Sequence, residues 1–477
     1  MKKIILVITI ITTLSACDDF LDINDDPNNP TESSLQLTLP LGISGTAYVL
    51  GGEFQILGGL WAQHWTQSTG AQQYRNYDQY DIVTTDFDRQ YQTLYAEALS
   101  DMEYVKKRAL EEEEWNYYLI STLVQAYTFQ LLADLYDQVP FSEALQTVQN
   151  FTPVFDDGET IYDGLIERID LALEKDLTSS TLTVPGVEDL LFSGNMDMWQ
   201  AFANTLKLKI YLRQAEARPS IAASGIASLF GDPEVEFLSV PARMTAFGTG
   251  QNQRNPYYET EVDRFGHANI VASNTLLGFL QPNSDPRINQ LFTQYEGAFV
   301  GVDQGDFFAD TPKNATETSQ PIVTPTDPVY FFSTAESYFL QAEAILRFPT
   351  ETGLSDADAQ TLYEMGIESS FQKLGTPSTP ALYGVGGPYE WTGSVANKRE
   401  LIAVQKWVSM VNSQGLEAYL EQLRTGYPDF FQESVNSVLN PGEFPRRLLF
   451  PSLERDRNSE NVPELEPITE SVWWDVN

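Results

Sequence analysis

The sequence predicts an all-α protein: a scaffold of paired helices that carries a loop-rich side. Two observations support this. In segment after segment, apolar residues recur at three- and four-residue spacing, as one buried helix face requires. Two stretches, 231–330 and 376–393, abandon that spacing and collect Gly, Pro, Asn, Gln and, in the second, Gly384, Gly386, Gly387 and Pro388. Long irregular segments within a compact domain are usually functional or mobile, so both are expected to be loops built on the scaffold, with short strands in the first.

The N-terminus comes first. Lys2 and Lys3 precede an apolar run, Ile4 to Leu14. That run is too short for a bilayer span, which takes about 20 residues, and it suits the core of a signal peptide. Leu14-Ser15-Ala16-Cys17 looks like a bacterial lipobox, with cleavage after residue 16 and acyl chains on Cys17, the only Cys in the chain. Residues 17–33 then form an acidic tether, from Asp18-Asp19 through the Asp/Asn/Pro stretch Asp22 to Pro30, because such a composition buries little. Asp22, Asn24 and Asp26 have the look of calcium ligands, but the Gly and the terminal Glu of an EF-hand loop are missing, so no metal is expected.

The helices follow in order. Phe87, Tyr91, Leu94, Tyr95, Ala98, Met102 and Val105 form one amphipathic stripe, with Asp86 near its start to complement the dipole. Trp115 to Tyr136 is apolar on most sides and reads as a buried central helix ended by Val139-Pro140. Ile161 to Leu177, Trp199 to Ile210, Ala335 to Leu346, Leu362 to Phe371 and Ile402 to Val411 complete the set. Short turns between several of them imply antiparallel pairs. The pairing resembles tetratricopeptide helical hairpins, although no 34-residue period is readable.

Composition narrows the function. With 28 Lys and Arg against 67 Asp and Glu, the net charge is −39. That excludes nucleic acid, whose binding depends on cations that displace counterions, and argues against adsorption on an anionic membrane surface. One Cys and two His cannot build a zinc site of the usual spacing. There is no G-x-S-x-G elbow, Walker A loop, H-E-x-x-H or dinucleotide Gly fingerprint, and His64 and His267 stand apart. No cofactor and no catalytic residue is expected.

Five blocks carry a family resemblance. They are the lipobox; Asp134 to Leu145 (DLYDQVPFSEAL); Phe332 to Ala344 (FSTAESYFLQAEA); the C-terminal run Ile402 to Pro428, with Gln405-Lys406-Trp407, Gly415 to Tyr419 and Arg424-Thr425-Gly426-Tyr427-Pro428; and Pro445 to Pro451 with Glu454 and Asn458. Together they resemble the SusD/RagB-like nutrient-binding lipoproteins of Bacteroidetes. Leu423 is a departure, since many relatives carry a second Arg there. The resemblance implies a tetratricopeptide-like scaffold over residues 34–477 as a single domain, anchored in the outer membrane and facing the cell exterior. It implies capture of a glycan and delivery to a SusC-like TonB-dependent transporter. A peptide or other non-glycan nutrient is the alternative, and a glycoside hydrolase stands behind both, because carboxylates are abundant.

A sugar site needs flat rings for apolar faces and polar side chains for hydroxyls. Trp61 and Trp65, taken as i, i+4 on one helix face, lead into a polar loop with Tyr74 and Tyr77. Tyr389 and Trp391 sit among glycines, and Tyr257 lies in the polar run Gln251 to Tyr258. These seven are the expected ligand contacts. Glu336 and Glu343, seven apart, are expected instead to pair between helices with Arg424 or Arg447, because buried carboxylates need partners. Trp199 and Phe202 are expected in the core.

Overall fold

The computed structural model describes residues 33–146, 149–179 and 181–477. The signal segment, Cys17, the tether up to Glu32 and the Asp22–Asp26 alternative lie outside the described residues. Helices dominate, and the strands form three two-stranded antiparallel pairs.

Helices form where apolar spacing places them. The central one, Trp115–Tyr136, is buried on nearly every side and packs against both Ser100–Glu112 and Gly158–Leu173. The stripe from Phe87 becomes a continuous run, Asp88–Gln92, Thr93–Leu99 and Ser100–Glu112, whose middle segment is a π-helix. Met196–Arg213 pairs with Pro219–Gly231, and Thr334–Arg347 with Asp356–Lys373. Trp199 and Phe202 are fully buried, as core spacing requires.

Helices Leu35–Gly51, Glu53–Trp61 and Pro219–Gly231 escape the periodicity. The first two mix small and apolar residues on every side, and Leu35–Gly51 carries Pro40 in its interior, so no stripe stands out. Small residues also set a close helix crossing. Glu53–Trp61 meets Gly415–Thr425 backbone to backbone, and a Cβ on Gly58 would lie 2.0 Å from the Leu416 nitrogen.

A buried charge network joins the helix pairs. Arg424 donates to both carboxylate oxygens of Glu343, at 2.8 and 2.6 Å, and to both of Glu421, at 2.9 and 2.7 Å. Arg213 reaches Asp134, Glu417 and Glu421 at 3.2, 2.7 and 2.5 Å. The Glu343 pairing is therefore with Arg424; Arg447 donates instead to the Tyr136 carbonyl at 2.6 Å. Burial alone would raise the Glu343 carboxyl, but the Arg424 guanidinium brings it down to about 2. Glu336, 3.8 Å from Lys209 and hydrogen-bonded by Gln414 at 2.6 Å, is pushed up by burial to about 7.

Region 231–330 is largely loop, as expected. It holds strands Ala242–Met244 and Ile270–Ala272, a second π-helix Tyr258–Arg264, and short helices Asn274–Leu280 and Ile288–Leu291. Ile270–Ala272 pairs with Trp65–Gln67, and Ala242–Met244 with Val329–Phe332.

Candidate functional site

The two loop-rich regions converge on one groove. Cavities of about 520 Å³ and 370 Å³ share Phe279 and Phe430 in their walls, which makes them two halves of one depression. Phe279 lies on helix Asn274–Leu280, which starts right after a paired strand and is capped by the Ser273 hydroxyl. Its ring stacks between Phe430 (5.6 Å, 13°) and Tyr389 (5.8 Å, 11°). Trp407 supports the row edge-on, at 6.0 Å from Phe279 and 5.6 Å from Phe430.

Each ring is held from behind. The Tyr389 hydroxyl donates to Asp285 at 2.9 Å, and its N–H to the Leu382 carbonyl at 2.8 Å. The turn before it needs Gly387, where a Cβ would lie 2.4 Å from two carbonyl oxygens. The Phe430 loop is pinned reciprocally: Gln63 Nε2 donates to the Gln432 carbonyl at 2.6 Å, and the Gln432 N–H returns to Gln63 Oε1 at 2.9 Å. Trp407 Nε1 donates to the Ala62 carbonyl at 2.7 Å, and His64 Nε2 lies 3.0 Å from the Trp407 carbonyl. Burial drives the His64 pKa down to about 3. It is a neutral clamp beneath the groove, sealed from solvent. The polar lining includes Asn274, Asp303, Gln432 and Glu433 in one half, and Glu390, Asn397 and Glu400 in the other.

The seven aromatics expected as ligand contacts do not present ring faces to solvent. Trp61, Trp65, Tyr74, Tyr77, Tyr257, Tyr389 and Trp391 are all buried, from Trp65 at 0 % to Trp391 at 8 % exposure. The helix ends at Trp61, Gln63 turns the chain at φ +54°, and Trp65 opens a strand, so the two Trp do not share a helix face. Trp65 packs on Tyr257 (4.9 Å) and donates to Asn412 at 2.9 Å. Trp61 meets Tyr419 edge-on (5.2 Å) and donates to the Tyr77 carbonyl. Tyr74 stacks on Tyr77, whose hydroxyl donates to Glu53 at 2.7 Å. Trp391 folds back onto Tyr363 at 5.1 Å. The polar loop after Trp65 thus packs down on its own aromatics, and of the seven only Tyr389 lines the groove.

Phe279 and Phe430 were not among the expected contacts. Phe279 lies within 231–330, expected to be loop, where only the run Gln251 to Tyr258 was singled out, and Phe430 follows the block ending at Pro428. The available signal was the polar setting of Phe430-Phe431, between Asp429 and Gln432-Glu433.

The helical scaffold and its loops close around an aromatic-floored groove, the kind of concavity in which ligand sites occur. The chain belongs to the SusD-like family: residues 27–451 match the family described as "Starch-binding associating with outer membrane". No curated protein matches it. Solved structures share its fold. A SusD homologue from Bacteroides uniformis superposes with a TM-score of 0.76 at 22% identity, covering 92% of this chain and 99% of that one. A chitin-binding protein gives 0.76 at 23%, covering 93% and 99%. A chitin-binding SusD homologue from Flavobacterium johnsoniae gives 0.75 at 19%, covering 91% and 98%. Among the described residues no helix is long and apolar enough to cross a membrane.

Proposed function

We propose that the protein is a cell-surface glycan-binding lipoprotein, anchored through Cys17, that holds an oligosaccharide in the Phe279–Phe430 groove and passes it to a SusC-like TonB-dependent transporter. The observation that carries the ligand class is the groove itself. The half-buried rings of Phe279 and Phe430 lie beside amide and carboxylate side chains, which matches the apolar faces and the hydroxyl edge of a pyranose. The family description and the two chitin-binding relatives support it.

A glycan array followed by calorimetry tests this reading. Phe279→Leu and Phe430→Leu retain apolar bulk and lose the flat face. Stacking that covers about 40–60 Å² contributes about 1–1.5 kcal/mol at ~25 cal/mol per Å². Each variant should therefore bind the cognate glycan roughly tenfold more weakly while melting near wild type. Normal affinity in both variants removes the groove from the proposal. Binding of peptides and of no glycan replaces the ligand class.

The anchor and the handover have their own readout. Wild-type protein expressed in its own cells should take up fatty-acid label and bring down a large β-barrel from a native detergent extract. Cys17→Ala should take up none and leave the membrane fraction, because stable anchoring needs two or more chains at about 0.8 kcal/mol per buried CH₂. Equal label on both proteins ends the anchor assignment, and a lipidated sample that returns no barrel ends the handover.

A further inference from the structure

A second groove shares no lining residue with the first. It consists of cavities of about 330 Å³ and 530 Å³ joined through Tyr48, Thr93 and Arg254. Both π-helices, Thr93–Leu99 and Tyr258–Arg264, contribute to its walls. Such turns are rare and recur at functional sites. The smaller cavity is lined by Arg89, Arg254 and Arg264. With 28 Lys and Arg in 477 residues, a random set of this size would hold less than one cation. Against Glu53 and Glu259 in the same wall, the three arginines leave the smaller cavity a formal +1 in a chain of charge −39, while the larger cavity adds Glu97 and Asp101.

The three arginines differ in state. Arg254 is fixed by Asp263 at 2.6 Å and by the Thr249 carbonyl at 3.0 Å. Arg89 and Arg264 are exposed and make no ion pair among the described residues. Arg89 donates to the Tyr48 hydroxyl at 3.3 Å, and the Tyr48 ring is 47% exposed. The polar run Gln251 to Tyr258 delivers Asn252 and Arg254 to this groove. Glu53, a carboxylate of the wall, accepts from Tyr77.

We infer that this groove is a second glycan subsite, selective for an acidic sugar, in which Arg89 and Arg264 take a carboxylate or sulfate group beside the Tyr48 ring. The planar guanidinium presents paired N–H groups that match two oxygens of such an anion. An acidic polymer approaching a chain this negative needs a local cationic entry, and Arg89 and Arg264 of the smaller cavity supply one. The inference takes its ligand class from the glycan reading and none of its residues from the first groove.

Calorimetry of the full chain with three probes tests it: an oligogalacturonate, a chondroitin sulfate oligosaccharide and the neutral oligosaccharide bound best on the array. The wild type should bind at least one acidic probe, less tightly as salt rises, and which one binds tells carboxylate from sulfate. Arg89→Gln combined with Arg264→Gln should weaken that probe by roughly tenfold or more. The same double variant should leave the neutral probe unchanged, whereas Phe279→Leu should do the reverse. Equal acidic binding by wild type and double variant overturns the inference, as does failure of both acidic probes to bind. Displacement by poly-glutamate as effectively as by the saccharide overturns it too, because charge alone would then be recognised. Loss of the neutral arm by itself counts against the first groove only.

Discussion

Replacing Arg424 with Met should destabilise the protein by about 3–5 kcal/mol, the range for removing one partner of a buried charge pair. Arg424 is sealed and satisfies four carboxylate oxygens, two on Glu343 and two on Glu421. Glu421 keeps Arg213 and Lys406 when it goes, but among the described residues Glu343 retains only Arg347, at 3.1 Å. Chemical denaturation of Arg424→Met beside Arg424→Met/Glu343→Gln checks this. The double variant should recover part of the loss, since neutralising Glu343 removes the stranded charge. Equal instability of both variants would mean that packing, and not charge, is the cost. The pH dependence has a defined sign. A carboxylate depressed from 4.5 to about 2 contributes stability that is present above about pH 4.5 and lost as the pH falls through 2. Glu336, raised to about 7, contributes oppositely: its share is full below about pH 4.5 and gone above 7.

Gly58→Ala should cost about 3 kcal/mol or more, at or beyond the upper end of the usual overpacking range. The added methyl would meet the Leu416 nitrogen at 2.0 Å and its Cα at 2.2 Å. Those are backbone atoms of a helix, so no rotamer change relieves the contact. Helix Glu53–Trp61 must shift, and the Gln63 clamp on the Phe430 loop shifts with it. The melting temperature and the glycan affinity should therefore fall together. Gly231→Ala, where a Cβ meets nothing within 4 Å, is the matched control and should stay within about 1 kcal/mol of wild type. If Gly58→Ala melts like that control, the helix crossing is looser than the structure shows.

The scaffold was legible where periodicity was clean. Trp115 to Tyr136 formed with the bounds its apolar run suggests, and Glu343 found Arg424, because a carboxylate on a core-facing helix requires a cation. The candidate site was less legible, because exposure is decided by tertiary closure. Trp391 among glycines suggests an open platform, yet those same glycines allow the tight turn that folds it onto Tyr363. Trp61 and Trp65 lost their common face to a single left-handed residue, Gln63. Phe279 falls in a region expected to be loop with no ring singled out near it, and only the three-dimensional meeting of helix Asn274–Leu280 with the segments at 389 and 430 makes it a groove wall. Loop regions were readable as regions, while the rings within them were not.

The buried network also bears on the order in which the chain can settle. Arg213 is paired with Glu417 and Glu421, which lie 204 and 208 residues further along. A growing or translocating chain therefore presents this arginine to Asp134 alone, long before its two glutamate partners exist, and the network around it stays incomplete until they arrive. Contacts of such long range slow folding and delay it until the late segments arrive. Completion of helix Gly415–Thr425 is thus the event that closes the network, and a chain truncated ahead of Glu417 should be cut by proteases faster than the full chain.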